Sequence, residues 1–164
     1  MFADPINFNL ITLADYISVI PIAFYVGSIY DLVKSPNNDT LKYFLGIFTS
    51  TLASDVIKRL PYPDSLYKMS RRPEEAENCD YLSKSGPAKK DAPGFPSGHM
   101  TTTAFFATYK AMENLDNKPL LLLLASIVLG MGWSRHYKKC HTVIQIAGGI
   151  ILGAGSAFLI KNYV

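Results

Sequence analysis

The chain alternates between long apolar runs and one extended polar stretch. The apolar runs cover residues 9–33, 41–57, 98–112, 119–133 and 142–160. They lack the polar face that a surface helix of a soluble protein carries. Because a helix needs about 20 apolar residues to cross the hydrocarbon of a bilayer, the pattern predicts about five transmembrane helices, several of them short.

Composition supports the same interpretation. Hydrophobic residues make up 49% of the 164 residues, and charged residues only 18%. We therefore predict an all-α fold, an integral, multi-pass membrane helical bundle that forms a single domain over residues 1–164. The alternative is a soluble bundle of buried helices. The last apolar run contains small residues that suit close helix packing, namely Gly148, Gly149, Gly153 and Gly155.

The polar stretch, residues 58–96, is rich in proline, glycine and charge, and we interpret it as a long loop. With five spans, this loop lies on the same side of the membrane as residues 134–141. Most basic residues of the chain fall on that side. The positive-inside rule would place this side of the membrane protein in the cytoplasm. A site that binds phosphate would need the same cations on either side, so the rule decides little here. The first ten residues are a candidate interfacial helix.

A first candidate site motif stands at the start of the third helix. It reads Pro-Ser-Gly-His over residues 96–99. Ser97 is a good N-cap residue, and the first N–H groups of a helix bind phosphate readily. Gly98 allows a ligand to approach the backbone closely. His99, in the first turn, could donate a proton to a leaving oxygen.

A second candidate motif joins the fourth and fifth helices. Ser134 and Arg135 end one helix, and His141 begins the next, with Gln145 one turn later on the same face. The Arg135 guanidinium has the planar fork that suits phosphate oxygens. If a side-chain oxygen binds one ring nitrogen of His141, the other nitrogen is free to attack phosphorus.

Together these motifs resemble the phosphatidic acid phosphatase type 2 superfamily of membrane lipid phosphatases. The signature of that family is Lys-x6-Arg-Pro, then Pro-Ser-Gly-His, then Ser-Arg-x5-His-x3-Asp. Residues 96–99 match the second part completely. The third part is matched at Ser134, Arg135 and His141, and Arg72 with Pro73 supplies the Arg-Pro of the first.

The resemblance implies roles for the matching residues. His141 would be the nucleophile that forms phospho-histidine, and His99 would be the general acid and base. No metal or other cofactor would be needed, because cations and helix ends stabilise the charge. The phosphate oxygens would be bound by Lys58, Arg72, Ser97, Gly98 and Arg135.

Two positions depart from the signature. Ser65 stands where the lysine is expected, so Lys58 at the end of the second helix is the better equivalent, with Lys68 as the competing candidate. Gln145 replaces the aspartate; an amide accepts a hydrogen bond from histidine but brings no charge. His-Thr-x-x-Gln resembles the dolichyl-diphosphatase branch of the family, and we therefore count Gln145 among the catalytic residues.

The sequence thus predicts a metal-independent lipid phosphatase or diphosphatase. A polyprenyl diphosphate of the dolichyl or undecaprenyl type is the favoured substrate, with phosphatidate or phosphatidylglycerophosphate as alternatives. A non-catalytic protein that binds lipid phosphates remains a rival hypothesis. We expect membrane lipids as partners and no nucleic acid, and self-association into a homo-oligomer stays open. Cys79 and Cys140 fall on the same side, where a disulfide would tie the long loop beside the site.

Overall fold

The computed structural model describes residues 10–79, 86–89 and 91–164, and the regular elements within these ranges are all helices. The interfacial helix predicted for the first ten residues lies outside the described residues, apart from Leu10. Two isolated β-bridges, but no β-strand, occur in the described part of the chain. The all-α prediction is therefore confirmed. The helices are α1 (Leu10–Lys34), α2 (Asn38–Lys58), α3 (Asp64–Ser70), α4 (Gly98–Glu113), α5 (Lys118–Tyr137) and α6 (Val143–Tyr163).

Three of the described helices are long and apolar enough to cross a membrane, namely Thr12–Lys34, Lys118–Tyr137 and Val143–Tyr163. Large apolar side chains on their outer faces are exposed, as expected for contact with lipid. The other two long helices, α2 and α4, bury serine and threonine side chains instead. These hydroxyl groups and several charged residues lower the apolar content of both helices, and α4, with 16 residues, is also shorter than the three spans. The chain is an integral membrane protein.

Helices α4 and α6 pack backbone against backbone. A Cβ atom on Gly149 would lie 2.5 Å from the carbonyl oxygen of Ser97, and one on Gly153 would lie 2.2 Å from that of Thr101. Both distances are far below van der Waals contact, so only glycine fits at either position. The close approach places the start of α4 beside the start of α6.

A triangle of hydroxyl groups joins α1, α2 and α4. Tyr25 Oη lies 2.6 Å from Thr51 Oγ1 and 3.0 Å from Thr102 Oγ1, and the two threonine oxygens are 3.1 Å apart. These hydrogen bonds connect three helices in the interior of the bundle. Water is scarce there, so internal partners of this kind stabilise helix association.

The polar stretch between α2 and α4 is fixed by a small number of contacts. It contains the short helix α3, which begins directly after Pro63, at a position where proline is well tolerated. Cys79 forms a disulfide with Cys140, which ties the stretch to the connection between α5 and α6. Arg71 pairs with Pro93 in one of the isolated bridges. Lys84 and Lys90, two of the basic residues of this stretch, lie outside the described residues.

Candidate active site

The two nitrogens of the His141 ring are distinguished by one hydrogen bond. His141 Nδ1 lies 3.2 Å from Gln145 Oε1. The orientation of the Gln145 amide follows from its nitrogen, because Nε2 donates to two backbone carbonyl oxygens. Oε1 can therefore only accept, so Nδ1 carries the proton. His141 Nε2 then keeps its lone pair, which is the state a nucleophile requires.

Gln145 also connects α6 to the polar stretch. Its Nε2 donates to the carbonyl oxygens of Met69, at 2.9 Å, and Arg71, at 2.6 Å. A Cβ on Gly94 would lie 2.7 Å from the same nitrogen, so glycine there leaves room for the amide. The backbone of Gln145 accepts a hydrogen bond from Ser97 N–H at 3.0 Å. One residue thus contacts the three segments that carry the two histidine motifs and Arg72.

Arg135 is completely buried where α5 ends. Its Nη1 donates to Ser18 Oγ at 3.1 Å, and its Nη2 donates to the carbonyl oxygen of Cys79 at 2.7 Å. The carbonyl oxygen of Arg135 accepts from the N–H of His141 at 3.2 Å. These bonds position the guanidinium between α1 and the disulfide, directly beside the His141 backbone.

The start of α4 carries the other motif. Ser97 is fully buried at the N-cap position, and His99 is buried in the first turn. A Cβ on Gly98 would lie 3.1 Å from Lys58 Nζ. The ammonium group at the end of α2 therefore lies directly beside the first N–H groups of α4. Asp55 pairs with the same ammonium at 2.8 Å, which compensates part of its charge.

Arg72 follows α3 and reaches the same region from the polar stretch. Its Nε donates to the carbonyl oxygen of Pro93 at 3.3 Å. A cavity of about 680 Å³, lined by Lys58, Arg72 and residues between 77 and 93, opens beside it. Lys58 and Arg72 therefore face the same cavity.

Electrostatics favour the neutral form of His141. Burial lowers the pKa of His141 well below its ordinary value of 6.5, and the positive charges of Arg135, Arg72 and Lys58 act in the same direction. The hydrogen bond that His141 Nδ1 donates to Gln145 Oε1 acts in the opposite direction and raises the pKa. The imidazole is therefore uncharged at neutral pH in the absence of an anion. Three cations around a neutral imidazole form a site suited to an anionic phosphorus centre.

The described structure brings together all eight residues that the sequence indicated: Lys58, Arg72, Ser97, Gly98, His99, Arg135, His141 and Gln145. Lys58 contributes to the positive potential at His141, and its ammonium group approaches Gly98. Sequence reasoning missed Ser18, which contacts Arg135 from α1. A serine within an otherwise apolar helix is the signal that could have indicated it, because polar groups inside membranes pair with one another.

The fold and the site define an integral membrane protein with a cationic, histidine-containing site at one end of a helical bundle. A family model described as the PAP2 superfamily matches residues 39–164. The chain belongs to the PAP2 superfamily. No curated protein matches the sequence. Among solved structures, the transmembrane PAP2 type phosphatidylglycerolphosphate phosphatase from Bacillus subtilis is similar, with 21% identity and a TM-score of 0.62. The match covers 94% of this chain and 74% of that one.

Proposed function

We propose that this protein is a membrane lipid phosphatase that acts through a phospho-histidine on His141 and needs no metal. The observation that carries the proposal is the hydrogen bond between His141 Nδ1 and Gln145 Oε1, which leaves Nε2 as the nucleophilic atom. The surrounding cations support it, because they would stabilise the charge that develops on phosphate oxygens in the transition state.

In the first half-reaction, His141 Nε2 attacks phosphorus and forms an N–P bond. The bond between phosphorus and the oxygen of the lipid breaks, and His99, which is protonated in the complex with the anionic substrate, donates its proton to that oxygen. Lys58, Arg72, Ser97, Arg135 and the N–H of Gly98 bind the non-bridging oxygens. This division of one displacement into two steps is ordinary covalent catalysis.

In the second half-reaction, neutral His99 removes a proton from water. The oxygen of that water attacks phosphorus, the N–P bond breaks, and inorganic phosphate leaves. His141 is regenerated as neutral imidazole and His99 as imidazolium, so both groups return to the states that they have in the complex with the substrate.

Polyprenyl diphosphate is our favoured substrate, because His141-Thr142-x-x-Gln145 resembles the dolichyl-diphosphatase branch. Phosphatidylglycerophosphate is the second candidate, since the similar Bacillus subtilis protein is a phosphatase of that lipid. Phosphatidate is the third. All three present an anionic phosphorus centre attached to a lipid tail, and the site chemistry is common to them.

The test is phosphate release by the purified protein in detergent, with EDTA present, on a panel of the three lipids. We expect turnover of at least one lipid and a covalent phosphoryl group on His141 that is labile in acid and stable in base. His141→Ala should abolish both. Undiminished release by His141→Ala would exclude the proposed nucleophile.

The third histidine of the chain provides a matched control. His136 is exposed near the end of α5, five residues before His141. His136→Ala should leave turnover within about twofold of the wild type, as expected for a surface substitution outside the site. Binding of the lipids without turnover by the wild-type protein would support the rival hypothesis of a non-catalytic lipid-phosphate-binding protein.

A further inference from the structure

A buried serine on α2 lies beside the proposed phosphate site and is not part of the family motifs described above. Ser54 is completely buried, one helical turn before Lys58. Its Oγ would lie 3.8 Å from a Cβ on Gly98, the same position that Lys58 Nζ approaches to 3.1 Å. The hydroxyl and the ammonium therefore converge on the first turn of α4.

The hydrogen bonding of Ser54 differs from that of its neighbours on α2. The side chains of Thr49, Ser50 and Thr51 all donate to carbonyl oxygens of the preceding helical turn. Ser54 Oγ is buried without a hydrogen-bond partner among the described residues. A buried hydroxyl without a partner destabilises a fold, so the position calls for another explanation.

We infer that Ser54 donates a hydrogen bond to a phosphate oxygen of the substrate, beside Lys58 and the N–H of Gly98. This inference rests on the proposed function, because it assigns an additional ligand to the same oxyanion. The start of α4 attracts anions, and a hydroxyl one turn before Lys58 on the same face of α2 provides the neutral donor that complements its charge. The oxygen of an anion is the partner that Ser54 otherwise lacks.

The experiment compares Ser54→Ala with Ser50→Ala, using orthovanadate as the probe. Orthovanadate mimics the phosphoryl group, and its binding by calorimetry in detergent requires no knowledge of the lipid. Ser50 is buried one turn earlier, but its hydroxyl is bonded to the carbonyl oxygen of Ile47. We expect Ser54→Ala to weaken vanadate binding roughly 10- to 100-fold, the range for a hydrogen bond to a charged group, and Ser50→Ala to leave it unchanged.

The unfolding temperature measured without vanadate shows whether the Ser54 hydroxyl stabilises the fold or serves only to bind the anion. Ser54→Ala removes a hydroxyl without a partner, so it should leave the unfolding temperature unchanged or raise it. Ser50→Ala removes a hydrogen bond that is made and should lower it. Ser54→Thr keeps the hydroxyl and should bind vanadate more tightly than Ser54→Ala.

The possible failures are distinguishable. If the wild type binds vanadate and releases phosphate while Ser54→Ala binds vanadate equally well, only the inference about Ser54 is wrong. A lower unfolding temperature for Ser54→Ala with unchanged vanadate binding would likewise assign the serine to the fold. If the wild type neither binds vanadate nor releases phosphate from any lipid, the proposed function fails and the inference fails with it.

Discussion

The two halves of the site are supported in different ways. The half that contains the starts of α4 and α6 rests on direct backbone contact at Gly149 and Gly153. The half that contains Arg72 rests on a polar stretch with one short helix, one disulfide and hydrogen bonds to backbone carbonyls. The first half leaves little room for adjustment, because backbone atoms of α4 lie against Gly149 and Gly153 and cannot move by side-chain rotation. The second half depends on a few separate contacts.

This difference indicates where the site tolerates change. A misfit between α4 and α6 has to be accommodated by moving a helix, which disturbs both histidines together. The loss of one contact in the polar stretch displaces Arg72 or Arg135 and leaves the helices in place. Gln145 belongs to both halves, because its backbone contacts Ser97 and its side chain contacts Met69 and Arg71.

The largest effect should come from Gly153→Ala. The added methyl group would lie 2.2 Å from the carbonyl oxygen of Thr101 and 2.9 Å from the Phe105 nitrogen, both backbone atoms. Because neither atom can move by side-chain rotation, we expect a loss of about 3 kcal/mol in unfolding free energy and no measurable phosphatase activity. Thermal unfolding in detergent measures the first, and phosphate release the second.

Gly155→Ala is the matched control for that substitution. It lies on the same helix, and an added Cβ there would meet no atom within 4 Å. Its unfolding temperature should be equal to or above that of the wild type, because alanine is the better helix former. Equal destabilisation by both substitutions would show that the contact between α4 and α6 is not what supports the first half of the site.

The next largest effect concerns the residue shared by the two halves. Gln145→Asp should lower kcat/KM on the order of 10²- to 10⁴-fold, although it restores the residue of the family signature. A carboxylate loses both donors to the Met69 and Arg71 carbonyl oxygens and brings negative charge towards them. Steady-state kinetics measure the effect. Activity at or above that of the wild type would contradict the bridging function of the amide.

A smaller effect is expected in the polar stretch. Replacing Cys79 and Cys140 together with serine should lower the unfolding free energy by about 2–4 kcal/mol, because the disulfide joins positions 61 residues apart. Activity should fall roughly 10-fold, since the Cys79 carbonyl that positions Arg135 becomes less restrained. A reductant should reproduce both changes in the wild type and have no effect on the double variant. Unaltered activity after complete reduction would contradict this function of the disulfide.

The smallest effect is a shift of a pH profile. The proposed mechanism requires neutral His141 for attack, and the pKa of His141 lies well below 6.5. Because the lowered pKa keeps the ring neutral until more acid is present, we expect the acid limb of kcat/KM to have its midpoint below pH 6.5. The measurement is a pH profile corrected for the separately measured ionisation of the substrate phosphate. A midpoint above pH 6.5 would contradict the cationic environment described for His141.

Much of the fold could be predicted from the sequence, because long apolar runs predict helices by themselves. The starts of α4 and α6 are also local features, marked by Ser97 and by the motif at His141. α3 was missed, because seven residues within a proline-rich polar stretch carry too short a pattern to distinguish a helix from a turn. The five expected spans include α2 and α4, whose buried hydroxyl groups make them less apolar than the other three.

The residues of the candidate site could be named from the sequence motifs, but the contacts between them could not be predicted. Motif spacing indicates that Arg135 and His141 lie close together. No local pattern indicates that the Arg135 guanidinium contacts Ser18 on a distant helix, or that Gln145 donates to Met69 and Arg71. Such bonds depend on how the polar stretch folds back on the bundle. The close approach of Lys58 Nζ to Gly98 likewise depends on where the end of α2 lies relative to the start of α4.

The hydroxyl triangle of Tyr25, Thr51 and Thr102 has a consequence for sequence variation. Each hydroxyl oxygen lies within hydrogen-bond distance of the other two, so the loss of one hydroxyl removes a partner from both of the others in a region with little water. Positions 25, 51 and 102 are therefore coupled, although 26 and 51 residues separate them along the chain. In a set of close relatives, we expect these three positions to change together, either all bearing hydroxyl groups or all becoming apolar.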